Sequence, residues 1–132
     1  MEGLKGAKRT KRETRKAYVD YIPEGRGITV LFVFRGGWID AIAMKRGIKD
    51  LEGLVEWLKE TGYFEEISGI AFGEGFMSAI GGKMNEKFLG MPLMSVSPRN
   101  RRDAEVVIEG VRKWLGQEAE AETDKLKSST KV

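Results

Sequence analysis

The 132 residues include no His and no Cys, which removes imidazole general bases, thiolate nucleophiles and the usual zinc ligand sets. What chemistry remains rests on carboxylates, cations and aromatic rings. Asp40, Asp50, Glu74 and Asp103 are the carboxylates considered for Mg²⁺-dependent nuclease work, but they share no clustered spacing, and helix capping and surface charge account for most of them. The glycine-rich stretch GEGFMSAIGGK invites a nucleotide reading and fails it. A P-loop needs G-x-x-x-x-G-K-[ST], whereas position 77 is Met and Met84 follows Lys83; a dinucleotide fingerprint needs a third Gly where Ser78 stands. No catalytic residue, metal or cofactor is therefore expected, and tight turns are the expected use of these glycines.

Cations next to aromatic residues give the stronger signal. In LFVFRGGWIDAI (residues 31–42) two apolar runs meet at Gly36-Gly37, with Arg35 and Trp38 on either side of the turn. A ring and a guanidinium on a sheet can stack bases and track phosphates of single-stranded nucleic acid, each stacked base contributing about 1–3 kcal/mol. Arg99, Arg101 and Arg102 stand where the last helix should begin. Partial positive charge at a helix start disfavours cations there, so a bound phosphate would relieve the conflict. Local compensation by Asp103 and Glu105 is the alternative.

Charge is distributed unevenly along the chain. The net charge of +3 conceals residues 1–16, where Lys5, Lys8, Arg9, Lys11, Arg12, Arg15 and Lys16 face only Glu2 and Glu13. That segment carries +5 and the rest of the chain −2. A basic run with almost no apolar content reads as a nucleic-acid-binding arm, the alternative being a solubilising tail.

The elements that must position these groups follow from periodicity. GITVLFVF and WIDAIAMK form a hairpin on the Gly-Gly turn. Unbroken pairing sets Arg35 opposite Trp38, Phe34 opposite Ile39, Val33 opposite Asp40 and Phe32 opposite Ala41. One face then carries Ile28, Val30, Phe32, Phe34, Ile39, Ala41 and Ala43 and is expected to be the core; the other carries Thr29, Leu31, Val33, Arg35, Trp38, Asp40, Ile42 and Met44. Asp50 caps a helix, DLEGLVEWLKETG, that ends at Gly62 and is expected to cover the core face. ISGIAF and FMSAI are read as strands about Gly73-Glu74-Gly75, with a short helix as the alternative for FMSAIGGKMNEKF, and MPLMSVS as another short strand. Ser97 or Asn100 opens the last helix, along which Ala104, Val107, Ile108, Val111 and Leu115 share a face. Gly116 ends it, or QEAEAETDKLK extends it.

These readings give an α+β fold, a mainly antiparallel sheet of about four strands with helices packed on one face. The domain boundaries are a basic arm at 1–16, a single domain at 17–116, and a polar tail or helix extension at 117–132. No stretch reaches the roughly 20 apolar residues of a membrane span, and the N-terminus has no signal-peptide core, so a cytoplasmic protein is expected. Scarce Cys with abundant Glu, Lys and Arg fits a thermophile.

With its charged N-terminal arm, its aromatic-rich sheet (Phe32, Phe34, Trp38) and its C-terminal helix from Ala104 to Leu115, the chain resembles the ThermoDBP family of archaeal single-stranded DNA-binding proteins over residues 15–116. The resemblance implies a hydrophobic cleft edged with basic side chains, sequence-tolerant binding of single strands and a homo-oligomer. The extension QEAEAETDKLK lacks heptad leucines, a departure from a zipper-type dimer. The expected function is non-enzymatic binding of single-stranded DNA or RNA by Lys8, Arg9, Lys11, Arg12, Arg15, Lys16, Arg35, Trp38, Arg99, Arg101 and Arg102. The alternative is a protein–protein adaptor or oligomeric structural protein using the same open sheet face.

Overall fold

A computed structural model describes residues 15–81 and 87–130. Four strands form one sheet in the order β3-β2-β1-β4: β1 (Arg15–Ile22), β2 (Ile28–Arg35), β3 (Trp38–Lys45) and β4 (Ile67–Phe72). β1 with β2 and β2 with β3 are antiparallel, whereas β1 and β4 run parallel. The sheet is thus mixed: two of its three strand pairs are antiparallel, in keeping with the mainly antiparallel expectation, and the third is parallel. Helix α1 (Leu51–Glu60) connects β3 to β4 and makes the crossover that a parallel pair requires.

The expectation of helices on one face is corrected, because both faces are covered. Leu54, Trp57 and Leu58 of α1 pack with Ala17, Val19, Leu31 and Val33. Across the sheet, Ala104, Ile108 and Leu115 of α3 (Pro98–Thr130) pack with Tyr18, Val30, Phe32 and Phe34. Seven consecutive residues of β2, Ile28 to Phe34, are buried. Such a strand reads as a continuous apolar run, and each large side chain removed from water contributes about 1.5–3 kcal/mol. Leu31 and Val33, expected on an open face, lie under α1.

A β-bulge explains why the face assignment failed. The register holds for Arg35 opposite Trp38 and Phe34 opposite Ile39, and then Val33 pairs with Ala41, leaving Asp40 as the inserted residue. A side-chain period of two makes one inserted residue exchange the faces of everything beyond it. Ala41 and Ala43 therefore join the α1 core, and Ile42 and Met44 turn to the α3 side.

The expected caps are present. Asp50 accepts a bond from the Gly53 amide at 2.8 Å, and Ser97 accepts one from Asn100 at 3.2 Å. FMSAI is not a strand: a single helical turn, α2 (Glu74–Phe76), passes into a π turn (Met77–Gly81). Residues 82–86, over which the strand-or-helix choice also ranged, lie outside the described residues. Of MPLMSVS only Met91–Pro92 is strand (β6), paired with β5 (Lys87–Phe88). α3 continues through Gly116. No helix among the described residues is long and apolar enough to cross a membrane.

Gly73-Glu74-Gly75 serves close approach. A β-carbon on Gly73 would sit 2.3 Å from the Asp20 carboxyl carbon, and one on Gly75 would sit 2.7 Å from the Tyr21 carbonyl oxygen. Asp20 Oδ1 accepts bonds from the Tyr21 and Phe76 amides at 2.8 and 3.2 Å, and its Oδ2 accepts the Tyr18 hydroxyl at 3.1 Å. Burial, reinforced by Asp20, pushes the Tyr18 hydroxyl well above its ordinary pKa.

Candidate nucleic-acid interface at the hairpin end

Four of the predicted groups meet at one end of the sheet. Trp38 opens β3 opposite Arg35 and is 65% exposed. The Arg35 guanidinium lies 4.0 Å from Asp40 and remains half exposed. On the α3 side of the same end, exposed Lys16 is level with Phe34. The exposed Arg99 guanidinium lies along the turn, with one nitrogen 3.6 Å from where a β-carbon on Gly37 would stand. The turn itself is made by Gly36 at φ 62° and Gly37, the conformation for which a Gly-Gly pair is suited.

α3 is fastened to this turn by Asn100, whose amide donates to the Gly36 carbonyl at 3.1 Å. Between them lies a cleft of about 470 Å³. Its floor is apolar, with Phe34, Ala71, Met94 and Val96; its polar groups come from Lys16, Ser95, Ser97 and Asn100. The side-chain oxygen of Asn100 is buried with no hydrogen-bond partner. Ser95 and Asn100 were not among the predicted site residues. Ser97 was legible as a cap, but a cleft made by one helix start and a distant turn has no signature in local spacing.

The remaining cations separate. Arg15 is 9% exposed, the first residue of β1 rather than part of a free arm, and its Nε donates to Asp40 at 2.9 Å with Glu66 at 3.6 Å. The bond from Arg15 holds the Asp40 carboxyl below the ordinary carboxylate range. Arg101 faces a second cleft, of about 510 Å³, on the other flank of α3 with Tyr18, Asp20, Glu105 and Arg112. Arg102 is exposed on the helix. The three arginines of the α3 start are therefore not one cluster. Lys8, Arg9, Lys11 and Arg12 lie outside the described residues, but the chain that carries them joins the sheet at Arg15, which precedes Lys16 at the hairpin end.

This geometry offers an exposed ring, several cations and a half-apolar cleft. Among the described residues no group of three or more carboxylates is placed to hold a metal ion. No protein-family model, curated protein or solved structure matches this chain.

Proposed function

We propose that this protein binds single-stranded nucleic acid at the hairpin end of its sheet, without catalysis. One observation carries the reading: exposed Trp38, Arg35, Arg99, Lys16 and the attachment point of the basic arm share a single end of the sheet. Trp38 stacks on a base, the three cations take adjacent phosphates, and the arm adds attraction independent of sequence. The cleft between α3 and the turn suits one unstacked base, with an apolar floor for its ring and polar groups at its edge. The contact surface is the end of the sheet, because its faces are occupied by α1 and α3.

Fluorescence anisotropy of a labelled single-stranded oligonucleotide tests this across a salt series. Affinity should fall steeply as salt rises, with a duplex of the same length binding more weakly. Absence of binding at low salt ends the proposal.

A further inference from the structure

The sheet has one closed edge and one open edge. β4 is sealed by the segment after β6, through a parallel bridge between Ile70 and Leu93 and a bond from the Met94 amide to the Ile70 carbonyl at 2.8 Å. β3 is the outermost strand on the other side, and among the described residues no strand pairs with its outer edge. Edge strands are ordinarily guarded by charge, proline or a bulge. β3 has its bulge at Asp40 and a charge at Lys45, and Ala41–Met44 between them has no such guard. Ile42 and Met44 are 41% and 45% exposed on the α3 side of this edge, and Trp114 of α3 is 52% exposed beneath the Arg46 guanidinium at 5.9 Å.

We propose that two copies of this chain join through their β3 edges, antiparallel about a two-fold axis perpendicular to the sheet, forming one continuous eight-stranded sheet. Three features favour a second copy as the occupant. First, a two-fold contact needs a self-complementary strand. Opposed residues of an antiparallel pair share a face, so pairing centred on Ala43 sets each Ile42 opposite the other copy's Met44. Four apolar side chains then meet between the two Trp114 rings. Second, the unguarded run is bounded by Asp40 at one end and Lys45 at the other. Antiparallel self-pairing in this register sets each Asp40 level with the other copy's Arg46 and one position from its Lys45, unlike charges together, whereas a parallel contact sets like against like. Third, α3 runs alongside β3 in the same direction, tied to it by Asn100 at the turn and by Arg46 to Glu118 at 2.6 Å. The axis therefore lays the two helices antiparallel, with their dipoles opposed. The hairpin ends fall at opposite extremes of the joined sheet, clear of the contact.

The test is the mass of the full chain by size-exclusion chromatography with light scattering, together with a cross-link. The protein should run at twice its 14.8 kDa. Met44→Asp should weaken association by at least about 100-fold, the equivalent of two decades in dissociation constant, with an unchanged circular dichroism spectrum. Val106→Asp, at a highly exposed α3 position, should leave the mass unchanged. Should Met44→Asp fail to fold, Ala43→Cys decides independently: in a chain without cysteine it should give a covalent dimer with a short bifunctional thiol cross-linker, because opposed β-carbons lie about 4.5–5.5 Å apart. A monomer at high protein concentration, a dimer indifferent to folded Met44→Asp, or a dimer that Ala43→Cys does not cross-link overturns the proposal.

Discussion

Arg15 donates to Asp40 at 2.9 Å, tying the first residue of β1 to the inserted residue of β3 across the intervening strand. The bond depresses the folded-state pKa of Asp40. A depressed carboxyl stabilises the fold fully above the unfolded-state value of about 3.9 and loses that contribution as pH falls through the lower folded value. Asp40→Asn should therefore lower the thermal midpoint at pH 7 and converge with the parent protein once acid has protonated Asp40 in the folded state as well. Thermal melts at pH 7 and in acid check this. A deficit that persists unchanged in acid contradicts the ion pair's role.

The bulge also marks the limit of what sequence showed. The Gly36-Gly37 turn, the Asp50 and Ser97 caps and the apolar stripes of α1 and α3 were legible because each is a local pattern. The insertion at Asp40 was not, since WIDAIAMK alternates plausibly in either register. β1 escaped notice because its charged start, Arg15-Lys16, continues the basic arm. Its buried residues Ala17, Tyr18 and Val19 also face both layers, so no alternation marks the strand. Of the site, Arg35 and Trp38 were readable from the turn. The association of Lys16, Arg99 and Asn100 with that turn depends on how α3 crosses the sheet.

Two glycines, Gly73 before α2 and Gly116 within α3, should separate by their surroundings. Gly73→Ala drives a methyl into the Asp20 carboxylate and should cost about 1–3 kcal/mol by chemical denaturation. Gly116→Ala meets nothing within 4 Å inside a continuing helix and should gain roughly 0.5–1 kcal/mol. A neutral Gly73→Ala would show that the loop does not need its close approach to Asp20.

Trp38→Ala should leave stability within about 0.5 kcal/mol, since the ring is largely exposed. Loss of one stacked base, about 1–3 kcal/mol, corresponds to roughly a 5- to 150-fold weaker oligonucleotide affinity. Parallel denaturation and anisotropy measurements decide: equal losses in both would make Trp38 a packing residue.

Salt dependence should count the cations. Lys8, Arg9, Lys11 and Arg12 of the arm with Lys16, Arg35 and Arg99 at the sheet end give a log–log slope of up to about −5, at about −0.7 per phosphate contact on a single strand. Arg99→Ala should reduce the slope by about 0.7. Arg102→Ala, on a helix position away from the turn, should leave it unchanged, and an equal effect from both would remove Arg99 from the site.

The most direct measurement is a ¹⁵N-amide NMR titration of the protein with a single-stranded oligonucleotide. Binding at the hairpin end predicts shifts concentrated at Lys16, Arg35 to Trp38 and Ser95 to Asn100, with the Trp38 indole N–H among the largest, and a quiet α1. Shifts confined to α1, to the β4 edge or to the second cleft beside Arg101, or no shifts at all, would contradict the account.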